Sequence, residues 1–391
     1  MKKGWEIKTL GEICEVLDSK RKPITKRDRT AGEYPYYGAT GILDYVHNYI
    51  FNEKLVLIGE DGAKWESGEY TAFIAEGKYW VNNHAHVIRP NRSIVLDNWI
   101  VYFLYFSDLH KYVTGLTVPK LNQEKMRSII LPIPPLPEQQ RIVSVLDEAF
   151  ASIAQAKAST ERNLFNAREL FESVSKEVFD TNGKGWEEKK LGNKDIIEII
   201  DNDRGVNYPK KSDFHAEGYC LFMNTKNVRP DGFEFTTTMF ITEKKDKALG
   251  KGKLSRNDVV MTTRGTIGNL GIYNHKVPFE QIRTNSGMLI FRPNTKHILP
   301  EYLFEALRSG LIKSQIRKHV SGAAQPQLPI KTLVNFTFHL PKSLAEQRAI
   351  VGRLEALSTE TKRLEEIYQS KVDALDELKK SVLAMAFEGE L

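Results

Sequence analysis

One apolar stripe occurs twice in this chain, 208 residues apart. Ile142, Leu146, Ala149, Ile153, Ala156, Thr160, Ala167, Leu170 and Val174 follow one another in alternating steps of four and three, with Asn163 in the one gap. Adding 208 to each number gives Ile350, Leu354, Leu357, Thr361, Leu364, Tyr368, Leu375, Leu378 and Val382, with Lys371 opposite Asn163. An apolar position every 3.5 residues marks a helix that buries one stripe against another helix. Two such helices are expected, over about 137–179 and 344–387, each roughly 60 Å long at about 1.5 Å per residue. Neither can bury its stripe alone, so the economical arrangement is an antiparallel pair. Its expected seam is Ile142, Leu146, Ile153, Leu170 and Val174 against Ile350, Leu354, Leu364, Leu375, Leu378 and Val382. Such pairing brings the C-terminus back toward the N-terminus and implies an approximate internal twofold.

The repeat extends beyond the helices. Gly4-Trp5-Glu6-Ile7-Lys8-Thr9-Leu10-Gly11 returns as Gly185-Trp186-Glu187-Glu188-Lys189-Lys190-Leu191-Gly192. Leu131-Pro132-Ile133-Pro134-Pro135-Leu136-Pro137 and Leu340-Pro341-Lys342-Ser343-Leu344 precede the two helices, where proline suits the extended approach and the first turn. Glu138-Gln139-Gln140 and Glu346-Gln347-Arg348 then start each helix with an acidic residue at its positive end. Between these landmarks, short β-branched and aromatic runs such as 55–58, 86–88, 259–261 and 288–291 read as strands, and 96–106 and 300–319 as helices. The expected architecture is α+β. Two globular domains, 1–136 and 182–341, each hold a small mixed sheet with helices, and spacer helices occupy 137–181 and 342–391.

Charge is unevenly shared between these parts. Residues 1–136 carry 18 basic and 16 acidic side chains, and residues 182–341 carry 25 and 16, or +2 and +9. The helical stretches, with 5 against 8 and 8 against 10, come to −3 and −2. A polyanion would therefore be met by the domains and not by the spacers. Cys14 and Cys220 are too few and too far apart for a disulfide framework or a zinc site. No apolar run approaches the roughly 18 residues of a membrane span, and the N-terminus lacks a secretion signal, so a cytoplasmic location without membrane association is expected.

The motifs point to binding more than to catalysis. Residues 59–63 (Gly-Glu-Asp-Gly-Ala) and 264–271 (Arg-Gly-Thr-Ile-Gly-Asn-Leu-Gly) each follow an expected strand. Their glycines permit close backbone approach, although a plain tight turn explains them equally well. Neither matches a dinucleotide fingerprint, and Gly250-Lys251-Gly252-Lys253 lacks phosphate-loop spacing. His84 and His86 would share one strand face but lack a third ligand at metal spacing, so no metal is assigned. A loose nuclease-like pattern, Asp231 with Glu243 and Lys245, is short and absent from the first half. No catalytic residues are assigned. Basic clusters are the remaining signal: Lys20, Arg21, Lys22, Lys26, Arg27 and Arg29 in the first domain, with Lys210 and Lys211 in the second. Clusters of this kind are often only solvated surface; placed on two basic domains joined by acidic spacers, they favour phosphate contact.

These landmarks resemble the specificity subunits of Type I restriction–modification systems. The resemblance rests on the repeated Gly-Trp-x-x-x-x-Leu-Gly, on residues 131–143 (Leu-Pro-Ile-Pro-Pro-Leu-Pro-Glu-Gln-Gln-Arg-Ile-Val) and on residues 345–351 (Ala-Glu-Gln-Arg-Ala-Ile-Val). Residues 36–42 with 59–63 and 82–86 also look like one class of target recognition domain in that family. The resemblance implies a non-catalytic DNA reader in which each domain reads one half of a bipartite double-stranded site and the helix pair sets the gap. It also implies two methyltransferase subunits docked on the helices and restriction subunits in the same complex. S-adenosylmethionine, ATP and Mg would belong to those partners, leaving this chain without a cofactor. The candidate DNA-binding residues are then Lys20, Arg21, Lys22, Lys26, Arg27, Tyr37, Lys64, Asn82, Asn83, His84 and Lys120 in the first domain. Their counterparts in the second are Lys210, Lys211, Lys226, Arg264, Thr266, Gln325 and Gln327. The alternative is a two-headed binding scaffold for RNA or glycan.

Overall fold

The computed structural model describes residues 3–391 except 116, 118, 181–184, 231 and 321–325. The chain divides into two units, Met1–Arg162 with Tyr368–Leu391 and Asn163–Ile367, so each takes in part of both long helices.

In the first unit, a four-stranded antiparallel sheet runs in the order Cys14–Val16, Ala85–Pro90, Leu55–Gly59, Ala72–Ala75. Leu55, Val56, Leu57 and Ile58 are all buried, as expected of a strand covered on both faces. A second sheet orders Gly41–Val46, Ala31–Gly38, Lys78–Val81 and Phe51–Asn52, with a parallel pairing of Tyr36 and Tyr37 to Trp80 and Val81. The second unit repeats both sheets. Its larger one runs Ile197–Ile200, Met288–Pro293, Val259–Thr262, Leu270–Ile272. Its smaller one runs Phe240–Ile241, Cys220–Met223, Ile282–Thr284, again with a parallel pair, Leu221 to Met223 against Ile282 to Thr284.

The sequence landmarks close each unit at its neck. Glu6–Thr9 pairs antiparallel with Ile130–Ile133, and Glu187–Lys190 with Thr337–Leu340. Gly4 and Gly185 sit at φ of 90° and 88°, the left-handed region that favours glycine, which explains why both openings begin Gly-Trp. Each long helix starts from a buried glutamine. Gln139 accepts from Leu96 N and donates to the carbonyls of Ile94 and Pro134. Gln347 does the same with Leu299 N, His297 and Pro341. With every amide bond satisfied away from water, this residue welds the helix start to its domain.

The long helices span Leu136–Asp180 and Leu344–Glu388. They pair antiparallel in the same register in both units: Lys157 Nζ meets Asp376 Oδ1 at 2.6 Å in the first, and Arg168 Nε meets Glu365 Oε2 at 3.1 Å in the second. The two residue numbers sum to 533 in each pair (157 with 376, 168 with 365). Leu146 with Phe387 and Phe179 with Leu354 share that sum, and each of these pairs lies within one core cluster. The 208-residue offset maps the first unit's pairs onto the second's.

One expectation is corrected. Leu170 and Leu378 are 44% and 48% exposed and lie outside the seam. Buried positions on the first helix recur at Ile142, Ile153, Leu164 and Ser175, which is every 11 residues. An α-helix has 3.6 residues per turn, so a heptad stripe falls about 20° behind every seven residues, whereas an 11-residue recurrence runs about 20° ahead only every three turns and so drifts less per residue, in the opposite sense. Over 40 residues the buried face therefore moves from Leu170 to Phe171 and, on the second helix, from Leu378 to Lys379. Ile142, Leu146, Ile153 and Leu354 are buried, and Val174, Ile350, Leu364, Leu375 and Val382 are partly buried.

Candidate nucleic-acid interface

In each unit several loops gather at one end of the larger sheet, held there by the same backbone bonds. In the first unit Glu60 N donates to His84 O, Leu121 N to Glu60 O and Asn82 N to Tyr37 O. In the second, Thr263 N donates to Gly287 O, Leu328 N to Thr263 O and Asn285 N to Met223 O. Single bridges join Asp61 to Lys120 and Arg264 to Gln327. The side chain of Asn82 accepts from His84 N, as that of Asn285 does from Gly287 N. Residues 82–84 and 285–287 are thus the same turn. Only the first copy is apparent from sequence, because Asn-Asn-His and Asn-Ser-Gly share one residue; the shared signal is an asparagine that directly follows one strand and precedes the next by three residues.

The sequence-derived candidates separate by environment. Lys20, Lys22, Lys26 and Arg27 are exposed, and the first three make no ion pair among the described residues. Asn83 and His84 are exposed at the turn, with His84 Nδ1 facing Asp61. Lys64 is exposed and bonded to Glu69. Two candidates are packing residues instead. Tyr37 is half-buried against Phe73 and Tyr79, and Asn82 is buried and engaged in holding its turn. Arg21 is also withdrawn: its guanidinium binds Glu60, Asp18 and the carbonyl of Ala85. Lys120 Nζ lies 2.9 Å from Glu60.

In the second unit Lys210, Lys211, Lys226, Arg264, Thr266 and Gln327 are exposed. Arg264 and Gln327 line an open groove of about 550 Å³ with Thr225, Asn285, Ser286 and Gly287. Gln325 lies outside the described residues. The nuclease-like pattern finds no support: Glu243 pairs with Lys247, Lys245 pairs with Asp213, and Asp231 lies outside the described residues.

Asp18, Glu60 and His86 bring three potential ligand atoms within 4.8 Å of one another. Their donor set is nevertheless that of a salt-bridge network. Asp18 accepts from His86 Nδ1 at 2.6 Å, Gln123 Nε2 at 3.0 Å and Val87 N at 2.9 Å, and Glu60 accepts from Arg21 and Lys120. A divalent cation here would have to displace two resident cations. Burial alone would raise both carboxyl groups, but these hydrogen bonds outweigh it and hold Asp18 and Glu60 below their ordinary values. Burial, reinforced by the carboxylates of Asp97 near Cys14 and Asp246 near Cys220, pushes both thiols up to about 12, so neither is poised as a nucleophile. What the interface offers is two sets of amide, guanidinium and ammonium groups on rigid strand ends, suited to hydrogen bonding with base edges and phosphates.

Likeness to known proteins agrees with this geometry. A Type I restriction enzyme specificity subunit, MjaVIII of Methanocaldococcus jannaschii, is 23% identical over 99% of this chain and 93% of its own length. A type I restriction enzyme specificity subunit of Haemophilus influenzae, S.HindORF215P, is 36% identical over 142 residues, which cover 36% of each protein. Among solved structures, the HsdS subunit from Thermoanaerobacter tengcongensis superposes with a TM-score of 0.61 at 20% identity, covering 100% of this chain and 98% of the other. A chain from a structure of type I R-M complex assembly gives 0.74 at 20% identity, covering 100% and 99%. At that identity the structures establish the fold. The model of the Type I restriction modification DNA specificity domain matches residues 2–162 and again 183–370, and the chain belongs to that family.

Proposed function

We propose that this chain is the sequence-specific DNA recognition subunit of a Type I restriction–modification complex. The observation that carries the reading is the duplication itself: one sheet framework occurs twice, each copy presenting its own loop set, 59–64, 82–84 and 119–123 or 263–268, 285–287 and 326–328. Each domain, 1–136 and 182–341, reads one half of a bipartite duplex site. Different loop residues on one scaffold give different half-sites. The exposed cations Lys20, Lys22, Lys26, Arg27, Lys210, Lys211 and Lys226 supply phosphate contact, and Asn83, His84, Arg264 and Gln327 are placed at the base-reading turns.

The long helices set the gap between half-sites and carry the docking surface for two methyltransferase subunits, with restriction subunits joining the same assembly. This chain is not itself catalytic. S-adenosylmethionine, ATP and Mg act on the partner subunits, and the complex works in the cytoplasm. No helix among the described residues is long and apolar enough to cross a membrane. Nothing in the interface or among the relatives favours the RNA or glycan scaffold.

The deciding experiment is selection from a duplex library with the methyltransferase-bound subunit. A gapped consensus of two unlike halves is expected, with affinity falling steeply as salt rises. Binding indifferent to duplex sequence, or confined to RNA, would overturn the reading.

A further inference from the structure

The buried network of the first unit lies behind its DNA-facing loops and has no equivalent at the same place among the described residues of the second. His86 is fully buried, and both ring nitrogens face acceptors, Nδ1 on the Asp18 carboxylate and Nε2 on the carbonyl of Leu121 at 2.7 Å. Arg21 ties Asp18 to Glu60 and donates to the carbonyls of Asn83 and Ala85. Lys120 reaches back to Glu60, and Gln123 to Asp18. The segments 18–22, 59–61, 83–86 and 120–123 are therefore joined to one another by side chains as well as by the sheet.

The second unit solves the same problem without charge at the centre. Leu289 faces Met261 across the strands as His86 faces Ile58, and it belongs to the apolar core. Thr263 stands at the place of Glu60 and Gln327 at that of Lys120, fixed by the shared bonds to Gly287 and Leu328. Asp201 keeps only a local pair with Arg204.

We propose that Asp18, Glu60 and His86 are positioning residues for DNA recognition, a charged clasp that fixes the reading loops of the first unit alone. Arg21 and Lys120 belong to this clasp and are not primary phosphate contacts. The fidelity of one half-site then depends on the clasp while the other is independent of it. Ion pairs and hydrogen bonds are directional, so the clasp sets loop orientation in a way that apolar packing does not. The inference rests on the DNA-reading role proposed above.

The test uses the full-length subunit in its methyltransferase complex and two duplex libraries, each randomised in one half-site. His86→Leu is one variant. Because it leaves Glu60, Arg21 and Lys120 of the clasp in place, the triple Glu60→Thr/His86→Leu/Lys120→Gln, which installs the second unit's own residues and leaves Asp18 to Arg21, Gln123 and Val87 N, is the other; His86→Gln tests rescue by a side chain that still donates and accepts. Arg264→Ala identifies the half read by the second unit. The expected result is a loss of about tenfold in base discrimination at the half untouched by Arg264→Ala, the size of one good base contact. The other half should stay at wild-type discrimination, with partial recovery in His86→Gln. Discrimination unchanged in the folded triple variant, or lost equally at both halves, would overturn the clasp. Failure of the wild-type complex to select a gapped site would instead overturn the DNA reading beneath it.

Discussion

The two units share a frame and differ in where they place buried charge. The first sets it behind the reading loops, in Asp18, Glu60 and His86. The second sets it beneath its smaller sheet, where Arg283 and Asp246 are 5% and 2% exposed and Lys253 completes the group. Arg283 also donates to the carbonyls of Lys251, Asp246 and Leu249, so it staples the 243–251 segment to the strand Ile282–Thr284. In the first unit the corresponding parallel strand carries Trp80 at that position. Equal frames thus tolerate a polar network at different depths, provided every group within it is matched.

The junction of domain and helix shows a second inversion. In the first unit the cation lies on the long helix: Lys379 Nζ sits 4.4 Å from the Tyr105 ring and 4.9 Å from that of Phe150. In the second, the ring lies on the long helix and the cation on the domain, with Arg308 4.5 Å from Phe171. Phe171 and Lys379 are 208 residues apart, so the partners have exchanged sides while the contact is kept.

Breaking the second unit's network should have the largest effect. Asp246→Ala leaves Arg283 buried without its carboxylate and is expected to cost about 3–5 kcal/mol. Denaturant unfolding followed by a probe in each unit should show the second unit falling first. The seam offers a sharper comparison between neighbours: Phe171→Ala should cost about 3 kcal/mol and Leu170→Ala less than about 0.5. Equal losses would restore the heptad reading.

Acid separates the roles of carboxylates. Asp18 and Glu60 titrate lower in the folded chain than in the unfolded one, so their contribution is complete above about pH 5 and is lost as pH falls through 4 toward their folded values. A thermal scan from pH 6 to 3 should show a shallower decline for the Glu60→Thr/His86→Leu/Lys120→Gln variant. Glu305 has the opposite sign. Burial pushes it up against the opposing pull of Arg308, which pairs with Oε1, and Glu355 adds to the rise; Oε2 has no hydrogen-bond partner among the described residues, so the ionised form burdens the fold at neutral pH. Glu305→Gln should therefore stabilise the second unit, by about 1 kcal/mol. A small change is expected on the half-exposed helix pair. Lys157→Glu should cost roughly 0.5 kcal/mol, and adding Asp376→Lys should recover it, as a double-mutant cycle would show.

Much of the frame was legible because duplication prints it twice. Gly-Trp, the buried glutamine and the apolar stripe each recur at matching places, and each proves to hold a neck or a helix start. The seam was read with the wrong period in its later turns, since 3.5 and 3.67 diverge only slowly along a helix. The clasp was not legible at all. Asp18, Glu60 and His86 are 42 and 26 residues apart, and only strand pairing brings them together. Arg21 and Lys120 read as surface cations because nothing local reveals the carboxylates beneath them.

The 11-residue recurrence also governs how such a chain can change its reach. A block of 11 residues, about 16.5 Å of rise over three turns, can be added to or removed from both rods with the buried positions kept within about 20° of their own grooves and their recurrence intact. Offspring of this scaffold that measure a different distance should thus differ by whole blocks of this size. A one-turn edit would rotate Leu146 and Phe179 out of the packing that holds the rods together.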